Sequence, residues 1–459
     1  MRWEGLLEFA SRQTSFSSSG RTVIVGPIHR KCPGVVVVAV DKIAERCKQA
    51  TESLSSDRSR ENAEEPTTRA MPLYEVIVVG LGAVGSAATW HLARLGTKVL
   101  GIDRYKPPHE FGSSTGETRL TRVAVGEGVE YSPLALRSNE IWREIETSTG
   151  QTLFVQCGCL TITGHPNKSM VHGVNKFFDN MEASAERYNI PHEIFRSADA
   201  LRSRFPQFAV NGTEVGFLDK AGGYLFLEAC IRTQLRSAED CGAELKFGKK
   251  VVTFNASAFG VTVTTDSGER YDAEKLLLAV GAWMPRFLPE RLRPYFSVTR
   301  QFLHWFEIQT NPERFSKDCP VFIWEVNRKS ILYGFPLVGE LGAGLEVANE
   351  ESEGIVDPDS VDRVVSDADK VKMYETYVRP FLPDLGPRSI KTAVCLYTNA
   401  PAARFVIDTH PEHERVIFAS PCSGHGFKHS AAIGEALADR LRNRPPKVDL
   451  SPFDLRHLS

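Results

Sequence analysis

Residues 75–96 read EVIVVGLGAVGSAATWHLARLG, and the fold is decided there. Glu75–Val79 is an unbroken β-branched run, the signature of a strand in a parallel sheet with both faces buried. Val84, Ala87, Ala88, His91, Leu92 and Leu95 recur at helical spacing, so Ala83–Leu95 is expected to be a helix, closed by Gly96. Lys98–Ile102 follows as a second strand ending at Asp103. Strand, helix and strand form the unit that opens a doubly wound α/β sheet. Gly80, Gly82 and Gly85 spell G-x-G-x-x-G at the first junction. The first glycine permits a tight turn, the second admits a pyrophosphate, and the third lets helix and strand pack closely. The phosphates would lie on the positive helix N-terminus, and Asp103 would accept from ribose hydroxyls. The pattern points to dinucleotide binding without choosing between FAD and NAD.

Outward from this unit, Leu227–Ala238 is expected as a helix, followed by strands Val251–Phe254, Val261–Thr265 and Leu276–Val280. Val298–Phe306, Val321–Trp324 and Ile331–Phe335 suggest a second sheet. Residues 359–381 are expected to form one amphipathic helix and Ala431–Leu441 another. The economical architecture is two interleaved α/β units.

Composition narrows the function classes. With 55 Lys+Arg against 57 Asp+Glu there is no basic excess to serve nucleic acid. The longest apolar run, Gly34–Val40, is far shorter than a membrane helix requires. Nine cysteines, an odd number without CxxC pairs, read as reduced thiols of a cytoplasmic protein. His410 and His413 flank Pro411 in a turn between two strand patterns, with no further ligand cluster, so no metal site is expected. Residues 1–70 differ from the rest. They are Arg/Ser-rich at the start and polar over 51–69, and are expected to be an extension without folded structure, or to precede a functional start at Met71. An organelle transit peptide is the alternative.

Three further segments carry a family resemblance. They are PPHEFGSSTGETRLTRVAVGEGVEYSPLALR (107–137), KTAVCLYTNAPAARFVID (391–408) and CSGHGFK (422–428). In this order and spacing they resemble the family of monomeric sarcosine oxidase and N-methyltryptophan oxidase, FAD-dependent amine oxidases. The resemblance runs from Met71 to the C-terminal SPFDL. It implies a Rossmann-like FAD-binding domain (71–158, 214–290 and 399–459) interleaved with a substrate domain (159–213 and 291–398). That second domain is implied to be built on a largely antiparallel sheet with helices. The resemblance also implies FAD held covalently through a thioether at Cys395, and an N-methyl amino acid substrate with O2 as oxidant in a monomeric enzyme. Arg122 and Lys428 are implied on the substrate carboxylate, Arg119 close to the flavin, and Tyr333 and Tyr397 in the pocket. An arginine fork suits that clamp because it binds a carboxylate through two parallel hydrogen bonds.

The chain departs from its relatives twice. Ser114-Thr115 stands where members often carry two histidines. Where the family places an oxygen-activating lysine, this chain has Glu346, or Gly344 in an ungapped match. A carboxylate there would oppose an anionic intermediate. The competing readings are therefore a flavin-dependent amine dehydrogenase with another acceptor, an NAD(P)-binding oxidoreductase, and a catalytically silent dinucleotide-binding protein.

Overall fold

A computed structural model describes residues 73–458 apart from positions 317, 328, 329, 352 and 353. The expectations for residues 1–70, including Gly34–Val40, lie outside the described residues.

Strand β1 (Tyr74–Val79), helix α1 (Ala83–Arg94) and strand β2 (Val99–Ile102) fold as the motif requires. Val76, Ile77 and Val78 are at most 2% exposed, which is why this strand tolerates no polar face. β1 pairs in parallel with β2 on one side and with Arg270–Leu278 on the other. Glu244–Lys246 extends the sheet in parallel beyond β2, and His413–Ser420 does so beyond Leu276–Leu278. Val251–Ser257 and Gly260–Thr265 form an antiparallel hairpin on the same sheet. Val406–His410 and His413–Ser420 form another, and the turn between them holds His410 and His413 as ordinary hairpin residues.

The second sheet is eight-stranded, running from Leu385–Asn399 at one edge to His192–Phe195 at the other. Every neighbouring pair is antiparallel except Val321–Asn327 with Cys159–Thr163. Its strands fall at 159–219 and 297–399, between segments of the first sheet, so the two sheets interleave along the chain. Val215–Asp219 pairs with Cys159–Thr163 and His192–Phe195, so this sheet extends past position 213, where the sequence places a boundary.

The expected helix over 359–381 is shorter. An α-helix spans Asp367–Met373 and passes into one π turn, Tyr374–Val378. Ser366 and Asp369 form a reciprocal capping box that starts the helix at 367. The preceding residues are tied down elsewhere: Arg363 donates to the Glu110 and Phe111 carbonyls at 2.7 Å, and Asp359 accepts from Trp283 Nε1 at 2.8 Å. Helical spacing of Val361, Val364 and Val365 loses to these tertiary bonds.

Candidate active site

At the C-terminal end of β1 the chain turns through Gly80, whose φ of +88° favours glycine. A Cβ on Gly85 would lie 1.7 Å from the Gly80 carbonyl oxygen, so the third glycine is required by helix–strand contact. A Cβ on Gly82 would meet only Ser114 Oγ, at 3.6 Å, leaving room for a ligand to approach the backbone. α1 begins at Gly82 with no side-chain cap and no acid in its first turn, so its leading N–H groups are available to a phosphate. Asp103 closes β2, accepting from Leu81 N at 2.7 Å and Tyr105 N at 2.8 Å. Burial pushes its carboxyl up to about 6 against those two hydrogen bonds.

This turn opens onto a cavity of about 400 Å³. Gly80, Gly82, Asp103 and Ser114 line one part, and Arg119, Tyr397, Cys422 and Gly424 line another. Arg119, on strand Thr118–Thr121, donates to the backbone carbonyls of Thr118, Ser113 and Thr115. Burial would lower its pKa, but Cys395, Tyr333, Glu346 and Tyr397 around it raise it, and the guanidinium stays charged. Cys395 and Tyr397 are two apart on strand Leu385–Asn399, hence on one face. Cys395 is 1% exposed. Burial pushes its thiol up to about 11, while Arg119 opposes the rise. The hydroxyls of Tyr333 and Tyr397 hydrogen-bond to each other, and burial keeps both protonated.

Arg122 and Lys428 lie deeper and form a second cluster. Arg122 is 1% exposed, and its Nη2 donates to both oxygens of Glu127, at 2.6 and 2.7 Å. Its Nε and Nη1 are buried without an acceptor. Burial would raise the Glu127 carboxyl, but Arg122, His425, Lys428 and His172 hold it well below the usual carboxylate range. Lys428 Nζ donates to the His425 carbonyl at 2.6 Å. Burial, and then Arg122, push Lys428 down to about 7. His172 and Glu350 complete the cluster, with Glu350 also in electrostatic range of Tyr333 and Tyr397.

Sequence reasoning named Gly80, Gly82, Gly85, Asp103, Arg119, Arg122, Tyr333, Cys395, Tyr397 and Lys428. Arg119, Tyr333, Cys395 and Tyr397 come together, and Arg122 and Lys428 form the deeper group. Glu127, His172 and Glu350 were missed. The one local signal was Glu127 standing between Gly126 and Gly128, five residues after Arg122. Glu346 is buried beside Arg119, accepts from Thr118 Oγ1, and leaves Oε1 without a partner. Among the described residues no His/Cys/Asp/Glu group is arranged for a metal ion, and no helix is long and apolar enough to cross a membrane.

The parallel sheet, the glycine turn and the second antiparallel sheet define the class: a Rossmann-type dinucleotide-binding protein with a separate sheet over the site. Residues 75–440 match the DAO family, FAD dependent oxidoreductase. The chain is 34% identical over 390 residues to a monomeric sarcosine oxidase of Streptomyces avermitilis, covering 84% of this chain and 98% of that one. It is 33% identical over 383 residues to an N-methyl-L-tryptophan oxidase of Yersinia pestis, covering 83% and 98%. The structure of NikD, an unusual amino acid oxidase essential for nikkomycin biosynthesis, superposes with a TM-score of 0.70 at 23% identity, covering 83% and 97%. That of glycine oxidase from Geobacillus kaustophilus gives 0.64 at 17%, covering 83% and 98%. At these identities the structural likeness is one of fold. The chain belongs to the FAD-dependent oxidoreductases, in the family of the monomeric sarcosine oxidases and N-methyl-L-tryptophan oxidases. The uncapped helix start, the open face of Gly82 and the cavity reaching Tyr397 fit that cofactor.

Proposed function

We propose that this protein oxidatively demethylates N-methyl amino acids of the sarcosine or N-methyl-L-tryptophan type. Secondary amine, O2 and water become primary amine, formaldehyde and H2O2. The observation that carries this reading is the buried Arg122 guanidinium, whose Nε and Nη1 have no acceptor and lie in a cluster with Lys428. A buried N–H pair without a partner is costly unless a ligand completes it. Nη2 belongs to both edges of the guanidinium fork and is held by Glu127. A substrate carboxylate would therefore complete Arg122 through a single charge-assisted hydrogen bond from Nη1, with Lys428 beside it.

In this reading Gly80, Gly82 and Gly85 hold the FAD pyrophosphate, Asp103 its ribose, and Cys395 the ring through a thioether. When bound, FAD supplies a hydride acceptor for the carbon beside the amine nitrogen. Arg122 and Lys428 anchor the carboxylate, and anchoring converts a bimolecular encounter into a positioned one. The Tyr333–Tyr397 pair walls the pocket with groups that stay neutral, so the amine meets no fixed anion there. Arg119 stands by Cys395 as a fixed positive charge. Residues 71–158, 214–290 and 399–459 form the cofactor unit in this reading and 159–213 and 291–398 the substrate unit, except that strand Val215–Asp219 joins the second sheet. Arg122 and Lys428 reach the substrate from the first unit, and Cys395 the flavin from the second. In this reading the enzyme works as a monomer.

Anaerobic mixing with sarcosine or N-methyl-L-tryptophan should bleach the flavin absorption band. A flavin-containing protein that no secondary amine in a broad panel bleaches would end this reading.

Glu346 favours a second reading, an amine dehydrogenase with another acceptor. Burial pushes its carboxyl up to about 7, so near neutrality it carries a partial negative charge beside Arg119. Peroxide formed per imine in air decides between them: near-stoichiometric peroxide marks an oxidase, turnover only with an artificial acceptor a dehydrogenase.

A further inference from the structure

The histidine that joins buried Glu127 to half-buried Glu350 serves no step above, yet it sits at the site. His172 lies at the tip of the short hairpin Met170–Val171 and Val174–Asn175, with φ of +54°. Its side chain is 9% exposed. Nδ1 is 2.9 Å from Glu127 Oε1, and Nε2 is 2.7 Å from Glu350 Oε1. Neutral imidazole has one N–H, so a ring bonded to a carboxylate through each nitrogen is the imidazolium. A Cβ on Gly424 would lie 3.3 Å from His172 Nε2 and 2.9 Å from the Tyr397 ring, which puts this cation against the cavity wall.

We propose that His172 is a positioning residue for the substrate carboxylate: its imidazolium ties up Glu127 and Glu350 and so keeps the Arg122–Lys428 pocket receptive to an anion. This rests on the carboxylate-clamp reading given above. The titratable groups facing the ring are Glu127 from the segment after Arg122, Glu350 from the end of strand Leu345–Asn349, and His425, whose ring stacks at 5.5 Å. Arg122 and Lys428 stand behind Glu127. Burial keeps His425 neutral, and its Nε2 is bonded to the Ala403 carbonyl. With His172 charged, Arg122 and His172 balance Glu127 and Glu350, and Lys428 tips the pocket positive. Without that charge Glu127 and Glu350 both act uncompensated on Lys428, Glu350 competes for that ammonium, and an incoming carboxylate is repelled. Burial alone would lower the His172 pKa, but Glu350 and Glu127 hold it at about 9.

Acetate binding to the holoenzyme, measured by calorimetry and by the flavin spectrum, tests this apart from catalysis. At pH 7, His172→Gln should weaken acetate by about tenfold or more, the scale of one unit charge in a partly buried site. For sarcosine the same variant should raise KM far more than it lowers kcat. Glu350→Gln in the same chain removes the unmatched anion and should restore affinity, and Glu350→Gln alone should tighten it. Affinity in the parent protein should fall through about pH 7, as Lys428 deprotonates, and again through about pH 9, as His172 does. The single His172→Gln variant should keep only the lower step. Unchanged acetate affinity in His172→Gln, or a double variant as weak as the single one, overturns the proposal. If acetate follows this pattern while no amine bleaches the flavin, the substrate reading fails and the role of His172 stands.

Discussion

Replacing Glu127 by glutamine keeps the side chain's shape and removes its charge. Both Arg122 and Glu127 are buried, with side chains 1% and 0% exposed. Arg122 reaches both carboxylate oxygens, and His172 a third hydrogen bond at 2.9 Å. The variant leaves Arg122, His172 and a half-charged Lys428 without their common counter-ion. Removing one partner of a buried ion pair costs about 3–5 kcal/mol, because the other charge stays desolvated and uncompensated. At about 2.1 cal/mol/K of unfolding entropy per residue, that corresponds in a chain of this size to a fall in Tm of about 4–6 °C. The pH dependence follows from the depressed carboxyl. Its stabilising contribution is fully present above the ordinary value of 4.5 and is lost as pH falls through the lower folded-state value. The carboxyl's own part of the gap between parent and variant should therefore be flat from pH 6 to 8 and close on strong acidification. Loss of the Lys428 charge above about pH 7 should narrow the gap further on the alkaline side. Acetate should raise the Tm of Glu127→Gln more than that of the parent, because it supplies the missing carboxylate; at 100 times its Kd a ligand adds about 2.7 kcal/mol. Thermal unfolding followed by circular dichroism, with and without acetate, reads both effects. A variant melting within about 2 °C of the parent at neutral pH, or one indifferent to acetate, would refute the view that Arg122 depends on a carboxylate partner.

Acid-unfolded parent protein should stay yellow and acid-unfolded Cys395→Ala should not; release of all flavin from the parent would sink the thioether. Oxygen should reoxidise the reduced enzyme faster at pH 6 than at pH 8, since Glu346 sheds its charge below about 7. Glu346→Gln should abolish that dependence, and stopped-flow traces identical to the parent's would exclude Glu346 from oxygen chemistry. For sarcosine, kcat/KM should fall as pH rises through about 7, where Lys428 loses its proton, and Lys428→Met should lose that inflection. An unaltered profile in the variant would remove Lys428 from the clamp.

The sequence was most legible where local physics decides the outcome. The β-branched run, the glycine triplet and the periodic helix each have a short-range cause, and β1, α1 and β2 fall where periodicity puts them. The helix at 367–373 was overdrawn because hydrophobic spacing cannot register that Arg363 and Asp359 are held by distant partners. Helix Ser132–Thr149 was missed altogether. Within the site, Arg119, Tyr333, Cys395 and Tyr397 were named through motif resemblance, and the fold brings them together. His172 and Glu350 had no such route. Their partnership spans 178 residues, and that of His172 with Glu127 spans 45, so neither pair leaves a mark in local spacing.

The central claim is that this FAD-dependent oxidoreductase removes a methyl group from a secondary amine that carries a carboxylate. Single-turnover mixing of the purified flavoprotein with sarcosine, reading flavin absorbance and formaldehyde together, tests it most directly. One equivalent of formaldehyde should appear for each flavin bleached. Flavin that stays oxidised, or bleaching without formaldehyde from sarcosine and N-methyl-L-tryptophan alike, would contradict it.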